Sequence, residues 1–208
     1  GLNSKTRTLY QDTFKPDIDQ RLCQFVWLGT HQKFADAFTF IFVPTEYGWF
    51  QAHAYRFENG LSTFIVETTD AAWQAAGIDK MSQEDGVAFC EKLFAPWLDG
   101  EKLISNATHL RGSAIWIRFP RVICGGWGHW NGDIPVVLMG DAAHPMYPIG
   151  SNGASQAILD ARTLVWRLAT MGDVDAALAA YEAERLPATA RIVLANRANG
   201  PEKVMQLV

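Results

Sequence analysis

No GxGxxG occurs anywhere in the 208 residues, so the glycine fingerprint that seats a dinucleotide pyrophosphate against a helix start is missing. Cysteine is scarce. Cys23, Cys90 and Cys124 show neither CxxC nor metal-type spacing, and an odd count reads as reduced, mostly buried thiols. The histidines His31, His53, His109, His129 and His144 are dispersed, so no zinc or iron site is expected and the metal ligand set is none. Charged residues make up only 19%, the net charge is −4, and the basic residues are scattered, which argues against a nucleic-acid partner. No apolar run reaches membrane-spanning length, no secretory leader opens the sequence, and no GxSxG nucleophile elbow is found. The expectation is a soluble, cytoplasmic protein with no membrane partner.

Aromatic residues are abundant: eight Trp, twelve Phe and five Tyr. Most must fill a core, but the number also fits a pocket for a flat apolar ligand. Hydrophobic residues at 49% over this length allow one large or two small domains.

Residues 136–161, VVLMGDAAHPMYPIGSNGASQAILDA, are the most informative segment. An apolar strand, Val136–Met139, runs into Gly140 and Asp141. A loop with Pro145, Pro148, Gly150, Ser151, Asn152 and Gly153 follows, and then a long helix. A carboxylate at the strand end can accept hydrogen bonds from ribose or ribityl hydroxyls. Small residues let backbone approach a planar ligand, and a helix start offers unpaired N–H groups. GDAAH with Pro148, Gly150 and Gly153 resembles the second flavin motif of the single-component, FAD-dependent aromatic hydroxylases, the p-hydroxybenzoate hydroxylase superfamily. The resemblance implies FAD as cofactor and NADH or NADPH as co-substrate. It assigns flavin contacts to Gly140, Asp141, Pro148, Gly150, Ser151, Asn152 and Gly153. Gly1, Ser4 and Arg7 resemble the second half of that superfamily's DGxxSxxR pattern, which implies that Arg7 lies near the FAD pyrophosphate. With GxGxxG absent, the chain reads as the middle and C-terminal parts of a larger flavoprotein.

The intervening stretch is rich in β signals. Arg21–Leu28, Phe38–Val43, Gly48–Arg56 and Leu61–Glu67 read as strands, and their short connections favour an antiparallel meander. Alternation puts Trp49, Gln51, His53 and Tyr55 on one strand face, a polar-aromatic set suited equally to a ligand wall or to solvent. If a protein base assists, His53 and Tyr55 are the candidates, with Gln51 as an orienting group. Trp127, His129 and Trp130 are candidates for an opposite wall. A short helix is expected over Asp70–Ala76 and a longer one over Ser82–Ala95, capped by Ser82, with Val87, Cys90 and Phe94 buried. Ser113–Arg118 and Val122–Trp130 read as further strands.

Words such as FVWLGT, GWFQAHAY and FCEKLFAPWLDG resemble the substrate domain of hydroxylases acting on aromatic acyl-CoA thioesters, of the salicyloyl-CoA and 2-aminobenzoyl-CoA type. After His144 the sequence is more similar to phenazine-type and other small-aromatic hydroxylases. The C-terminal third is helical: Ala154, Ala157, Ile158, Ala161, Leu164, Val165 and Leu168 follow the helical period. A second helix is expected over Val174–Arg185 with Asp173 as N-cap, and Pro187 starts a further one.

The fold class is therefore α/β, with α+β character in the substrate part: an FAD/NAD(P)-binding-domain-like fragment with an antiparallel substrate-binding sheet. The expected divisions are 1–10, the end of a first FAD-binding segment; 11–130, the substrate sheet; and 131–208, a second FAD-binding segment with helices. The expected function is NAD(P)H- and O2-dependent hydroxylation of a small aromatic substrate, preferably a CoA thioester, whose phosphates would meet Lys33, Arg111 and Arg121. The same chemistry on a free phenol or phenazine-like ring stays open. So does a non-catalytic module that no longer holds FAD.

Overall fold

The computed structural model describes residues 1–35, 37–58, 60–105, 115–147, 152–198, 200, 203 and 205. The first elements are α1 (Lys5–Leu9), α2 (Gln11–Phe14), β1 (Pro16–Gln20), β2 (Gln24–Thr30), β3 (Thr39–Thr45), β4 (Gly48–Glu58) and β5 (Leu61–Thr68). There follow α3 (Asp70–Ala75), α4 (Gln83–Leu98), β6 (Leu103–Ser105), β7 (Pro120–Cys124), β8 (Gly128–Asn131), β9 (Ile134–Val137), α5 (Asn152–Thr170) and α6 (Val174–Ala198). None of the described helices is long and apolar enough to cross a membrane.

Two compact units emerge: Gly1–Arg21 with Pro120–Gly200, and Leu22–Phe119 with Pro201–Val208. The divisions differ from those expected at 10 and 130. β1 pairs antiparallel with β7 from Pro16↔Cys124 to Gln20↔Pro120, and this ladder draws residues 11–21 and 120–130 into the first unit.

The second unit is an antiparallel sheet in the order β3-β4-β5-β2-β6. The strands expected from alternation are present, but only β3, β4 and β5 form a meander. β2 pairs with β5 along Gln24↔Thr68 to Thr30↔Ser62 and takes no place beside β3. The sheet is two-faced because successive side chains alternate. Val26, Leu28, Ile41, Phe50, Ala52, Ala54, Phe64 and Val66 form its buried face. They meet Cys90, Phe94 and Leu98 of α4, one helical period apart. Ser82 starts that helix by accepting the Asp85 N–H at 3.0 Å, and Glu84 and Asp85 put negative charge at its positive end. It stops where Asp99 and Gly100 adopt positive φ, at 50° and 82°. The ends of the unit are tied together: Phe25 and Ile117 exchange both backbone hydrogen bonds at 2.9 Å. Of the strand expected over Ser113–Arg118, that bridge is what the described residues contain, and 106–114 lie outside them.

In the first unit, the single strand expected over Val122–Trp130 is two strands, β7 and β8. The chain turns at Gly125-Gly126, where a Cβ on Gly125 would stand 3.3 Å from the Lys15 Cβ, so Lys15 would have to give by a few tenths of an ångström. Glu182 of α6 anchors this turn by accepting the Trp127 and Gly128 N–H groups at 2.6 and 3.1 Å. α6 also runs unbroken through Pro187, which does not begin a new helix. Tyr181, Arg185, Thr189 and Val193 are buried along it, and the Thr189 hydroxyl donates to the Arg185 carbonyl at 3.1 Å. That packing holds the helix across the missing proline N–H. Asp173 does cap it, through the Asp175 N–H at 3.1 Å.

α5 departs most from its hydrophobic pattern. Ile158 and Val165 are 69% and 66% exposed, whereas Asp160 and Thr163 are its buried residues. Leu164 and Ala157 of the stripe still pack inward, but Ile158, Val165 and Leu168 face out, and the most buried positions are polar.

Candidate functional site

Gly140 opens a short 3-10 turn, Gly140–Ala142, after β9. Its φ is +54°, and a Cβ there would lie 3.2 Å from the Ala157 Cβ of α5, so the position needs glycine twice over. The turn is held from both sides. On one side the Gly140 N–H donates to Asp160 Oδ2 at 2.9 Å, and His144 Nε2 meets the same oxygen at 2.6 Å. Arg185 Nε donates to Asp160 Oδ1 at 2.9 Å. Burial, the largest influence on Asp160, would raise its pKa. The hydrogen bonds from His144, Gly140 and Arg185 outweigh it, and the carboxyl titrates below its ordinary value.

On the other side stands Arg7, buried on α1, whose start is capped by the Ser4 hydroxyl. Its guanidinium donates to the carbonyls of Leu2 at 2.6 Å, Ala142 at 2.7 Å and Asp141 at 3.3 Å. Arg7 therefore grips the turn through its backbone. Replacing it with methionine is expected to cost the first unit about 2–3 kcal/mol in urea denaturation, because charge-assisted hydrogen bonds are lost and carbonyls are left unpaired. Arg7→Lys should recover only part, since a point charge cannot span the three acceptors. An unchanged denaturation midpoint for Arg7→Met would show that the grip contributes nothing.

What these supports present is Asp141. It is exposed, and its carboxylate makes no hydrogen bond among the described residues. Asn152 and Gly153 are the first residues of α5 and are half-buried. Pro148, Gly150 and Ser151 lie outside the described residues. Of the aromatic candidates nearby, Trp127 is core, packed on Tyr181 and His144. His129 stacks on Tyr10 at 4.0 Å, and Trp130 remains exposed.

The second unit, taken by itself, carries a polar-aromatic sheet face. Gln51, His53 and Tyr55 share the face of β4 turned away from the core, and antiparallel register extends that face across the sheet. Phe42 and Glu67 flank Gln51, while Phe40 and Ile65 flank His53. Phe38 lies 4.7 Å from the Tyr55 ring. Trp27, Phe38 and Phe40 are 44%, 52% and 56% exposed, an open aromatic surface. Gln51 is buried, with its Oε1 unpaired among the described residues. Burial pushes His53 down to about 4, so at neutral pH it is an uncharged imidazole and a weak base. Sequence reasoning missed Glu67, although a carboxylate in step with Ile65 and Thr63 on an apolar strand was the available signal.

Of the cations proposed for phosphate, Lys33 is exposed and Arg111 lies outside the described residues. Arg121 must be withdrawn. Its side chain is fully buried, donates to the Asn196 carbonyl at 2.6 Å and pairs with Asp19 at 3.3 Å. Among the described residues no cluster of three or more His, Cys, Asp or Glu is arranged to hold a metal. Burial pushes the Cys90 and Cys124 thiols up to about 12 and about 11, leaving them unreactive.

Residues 128–196, which include the clamped turn and both long helices around it, match the FAD binding domain family. Salicyloyl-CoA 5-hydroxylase of Streptomyces sp is 36% identical over 203 residues, 92% of this chain and 37% of that protein. Phenazine 1,6-dicarboxylic acid hydroxylase PhzS of Lysobacter antibioticus is 39% identical over 130 residues, 62% of this chain and 29% of that protein. Over most of its length the chain is similar to FAD-dependent aromatic monooxygenases, and its residues 128–196 carry the FAD binding domain. The fold agrees: p-nitrophenol 4-monooxygenase PnpA from Pseudomonas putida DLL-E4 superposes with a TM-score of 0.66 at 18% identity, covering 95% of this chain and 48% of that one. The chain thus spans between about a third and a half of the length of these family members. The residues present fit the family's cofactor. An exposed carboxylate with unused acceptor capacity, on a turn fixed from behind, suits a polyhydroxyl chain, and the glycine beside it leaves the backbone open to approach.

Proposed function

We propose that this chain is part of an FAD-dependent monooxygenase acting in the cytoplasm, which hydroxylates the ring of an aromatic acyl-CoA with NADH or NADPH and O2. The observation that carries the reading is the exposed Asp141 carboxylate, without a hydrogen bond among the described residues, on its clamped turn. Asp141 would hold hydroxyls of the ribityl or ribose part, and Asn152 and Gly153, with Pro148, Gly150 and Ser151, would lie along the flavin ring. When bound, the flavin would supply the exchange of electrons with the nicotinamide and the activation of oxygen. The protein's own task is to bind a flat ring, orient it and keep water away. The face of Trp27, Phe38, Phe40, His53 and Tyr55 suits that task, since exposed aromatic edges and faces stack on a planar ligand. Neutral His53 and buried Gln51 offer hydrogen bonds to ring substituents without bringing a charge.

The thioester preference follows the salicyloyl-CoA hydroxylase likeness, which runs through both units. The likeness to the phenazine hydroxylase favours a second reading, a free phenolic or phenazine-like ring. The experiment is NAD(P)H-coupled hydroxylation by the intact protein with salicylate, its CoA thioester and a phenazine carboxylate. The thioester is expected to react fastest. Faster turnover of a free acid would remove the thioester and keep the flavin chemistry, and no substrate-dependent oxidation of NAD(P)H would remove both.

A further inference from the structure

The charged groups behind the Gly140–Ala142 turn are deeply buried. Asp160 is fully buried on α5, and its two oxygens serve three donors: the Gly140 N–H, His144 Nε2 and Arg185 Nε. Arg185 in turn donates to Gln156 Oε1 at 2.6 Å, so both ends of this ion pair are tied to α5. His144 Nδ1 is buried and has no partner among the described residues. An N–H aimed into those apolar surroundings, with Val122, Trp127 and Leu186 nearby, would be left unpaired. The ring proton therefore sits on Nε2 and is donated to Asp160.

The geometry fixes one peptide. The Gly140 N–H and the His144 side chain converge on a single carboxylate oxygen, and the His144 N–H donates to the Gly140 carbonyl at 2.9 Å. Both polar atoms of the Gly140 backbone are thus committed to this cluster. Gly140 holds a positive φ that few residues adopt, and Asp141 is the next residue in the chain. A buried ion pair often gains little stability over an apolar replacement, whereas specifying a conformation is its better-attested use.

We propose that Asp160, acting with His144 and Arg185, is a positioning residue for flavin binding. It holds the Gly140–Ala142 turn in the conformation in which the Asp141 carboxylate can receive the hydroxyls of FAD. Asp160 touches no ligand and works only through Asp141. The inference rests on the FAD reading above.

The test is a double-mutant cycle on the intact protein, read as the FAD dissociation constant by quenching of flavin fluorescence, well below the melting temperature of each variant. Asp141→Ala and Asp160→Asn are each expected to weaken FAD binding about tenfold or more. The double variant is expected to bind no more weakly than the weaker single, since a positioning group has nothing to add once Asp141 is gone. If Asp160→Asn does not fold, His144→Gln and His144→Leu replace it in the cycle. Glutamine keeps an N–H toward Asp160 and should retain affinity within about threefold, while leucine should lose about tenfold. A folded Asp160→Asn with unchanged FAD affinity would overturn the proposal, as would multiplying losses in the double variant or equal affinities for His144→Gln and His144→Leu. Absence of FAD binding in the unaltered protein would instead overturn the FAD reading, and this inference with it.

Discussion

Asp141→Ala in the intact protein is expected to raise the FAD dissociation constant ten- to a hundredfold while leaving the melting temperature nearly unchanged. The two halves of that expectation have one cause. The Asp141 carboxylate is exposed and makes no hydrogen bond among the described residues, so the folded chain loses no contact with it. Its backbone carbonyl, which Arg7 does hold, survives the substitution. A hydroxyl bonded to a charged acceptor contributes about 1.5–3 kcal/mol, which converts to the stated range in affinity. Isothermal titration with FAD and a thermal melt of the same preparation measure both quantities. Full FAD affinity in the variant would detach Asp141 from the cofactor, and a collapsed melting temperature would make it a structural residue.

Lowering the pH from 7 to 4 is expected to destabilise the second unit by about 2–3 kcal/mol through His53, and His53→Phe to abolish that part of the loss. Burial lowers the folded value to about 4, against about 6.5 in an unfolded chain. Between those values the unfolded chain binds the proton and the folded one does not, so stability falls as pH falls through the window and levels off below it. The carboxylates of the same unit behave differently. Hydrogen bonding from Gln24 depresses Asp70, with Arg118 and Gln74 adding to it, and Lys102 depresses Glu91. The stability those two contribute is lost only at lower pH, as each folded value is passed. Urea midpoints of wild type and His53→Phe at pH 7, 5.5 and 4 separate the effects. Parallel pH profiles for the two proteins would mean that His53 is solvated and that the wall around it is open to water.

Which features the sequence reveals depends on how local their causes are. β3, β4 and β5 are legible because alternation and short turns are local, and α4 because its cap and its Cys90, Phe94 and Leu98 stripe lie within one segment. The placement of β2 beside β5 is a long-range choice that no window of residues contains. The wall of Gln51, His53 and Tyr55 follows from period-two spacing, while Glu67 joins it only through cross-strand register. Around the flavin turn, glycine and aspartate announce themselves by type. The supports do not: Arg7 reads as a ligand group yet spends its donors on carbonyls, and Asp160 is buried on a helix whose largest apolar side chains, Ile158, Val165 and Leu168, point outward. A helix oriented by three buried polar donors defeats a reading based on hydrophobic period alone.

The bridge between Phe25 and Ile117 bears on how the chain assembles. β1 and β7 pair residues about a hundred positions apart, so the first twenty residues must wait for most of the chain before their ladder can form. Once the second unit has folded, its two ends are already side by side, and the open loop that β1 and β7 must close shrinks to roughly ten residues. Loop-closure entropy then falls by about 2 kcal/mol. The inserted sheet thereby acts as an intramolecular template for the domain it interrupts. A substitution that loosens Phe25 or Ile117 should therefore slow formation of the β1–β7 ladder more than it weakens the finished fold.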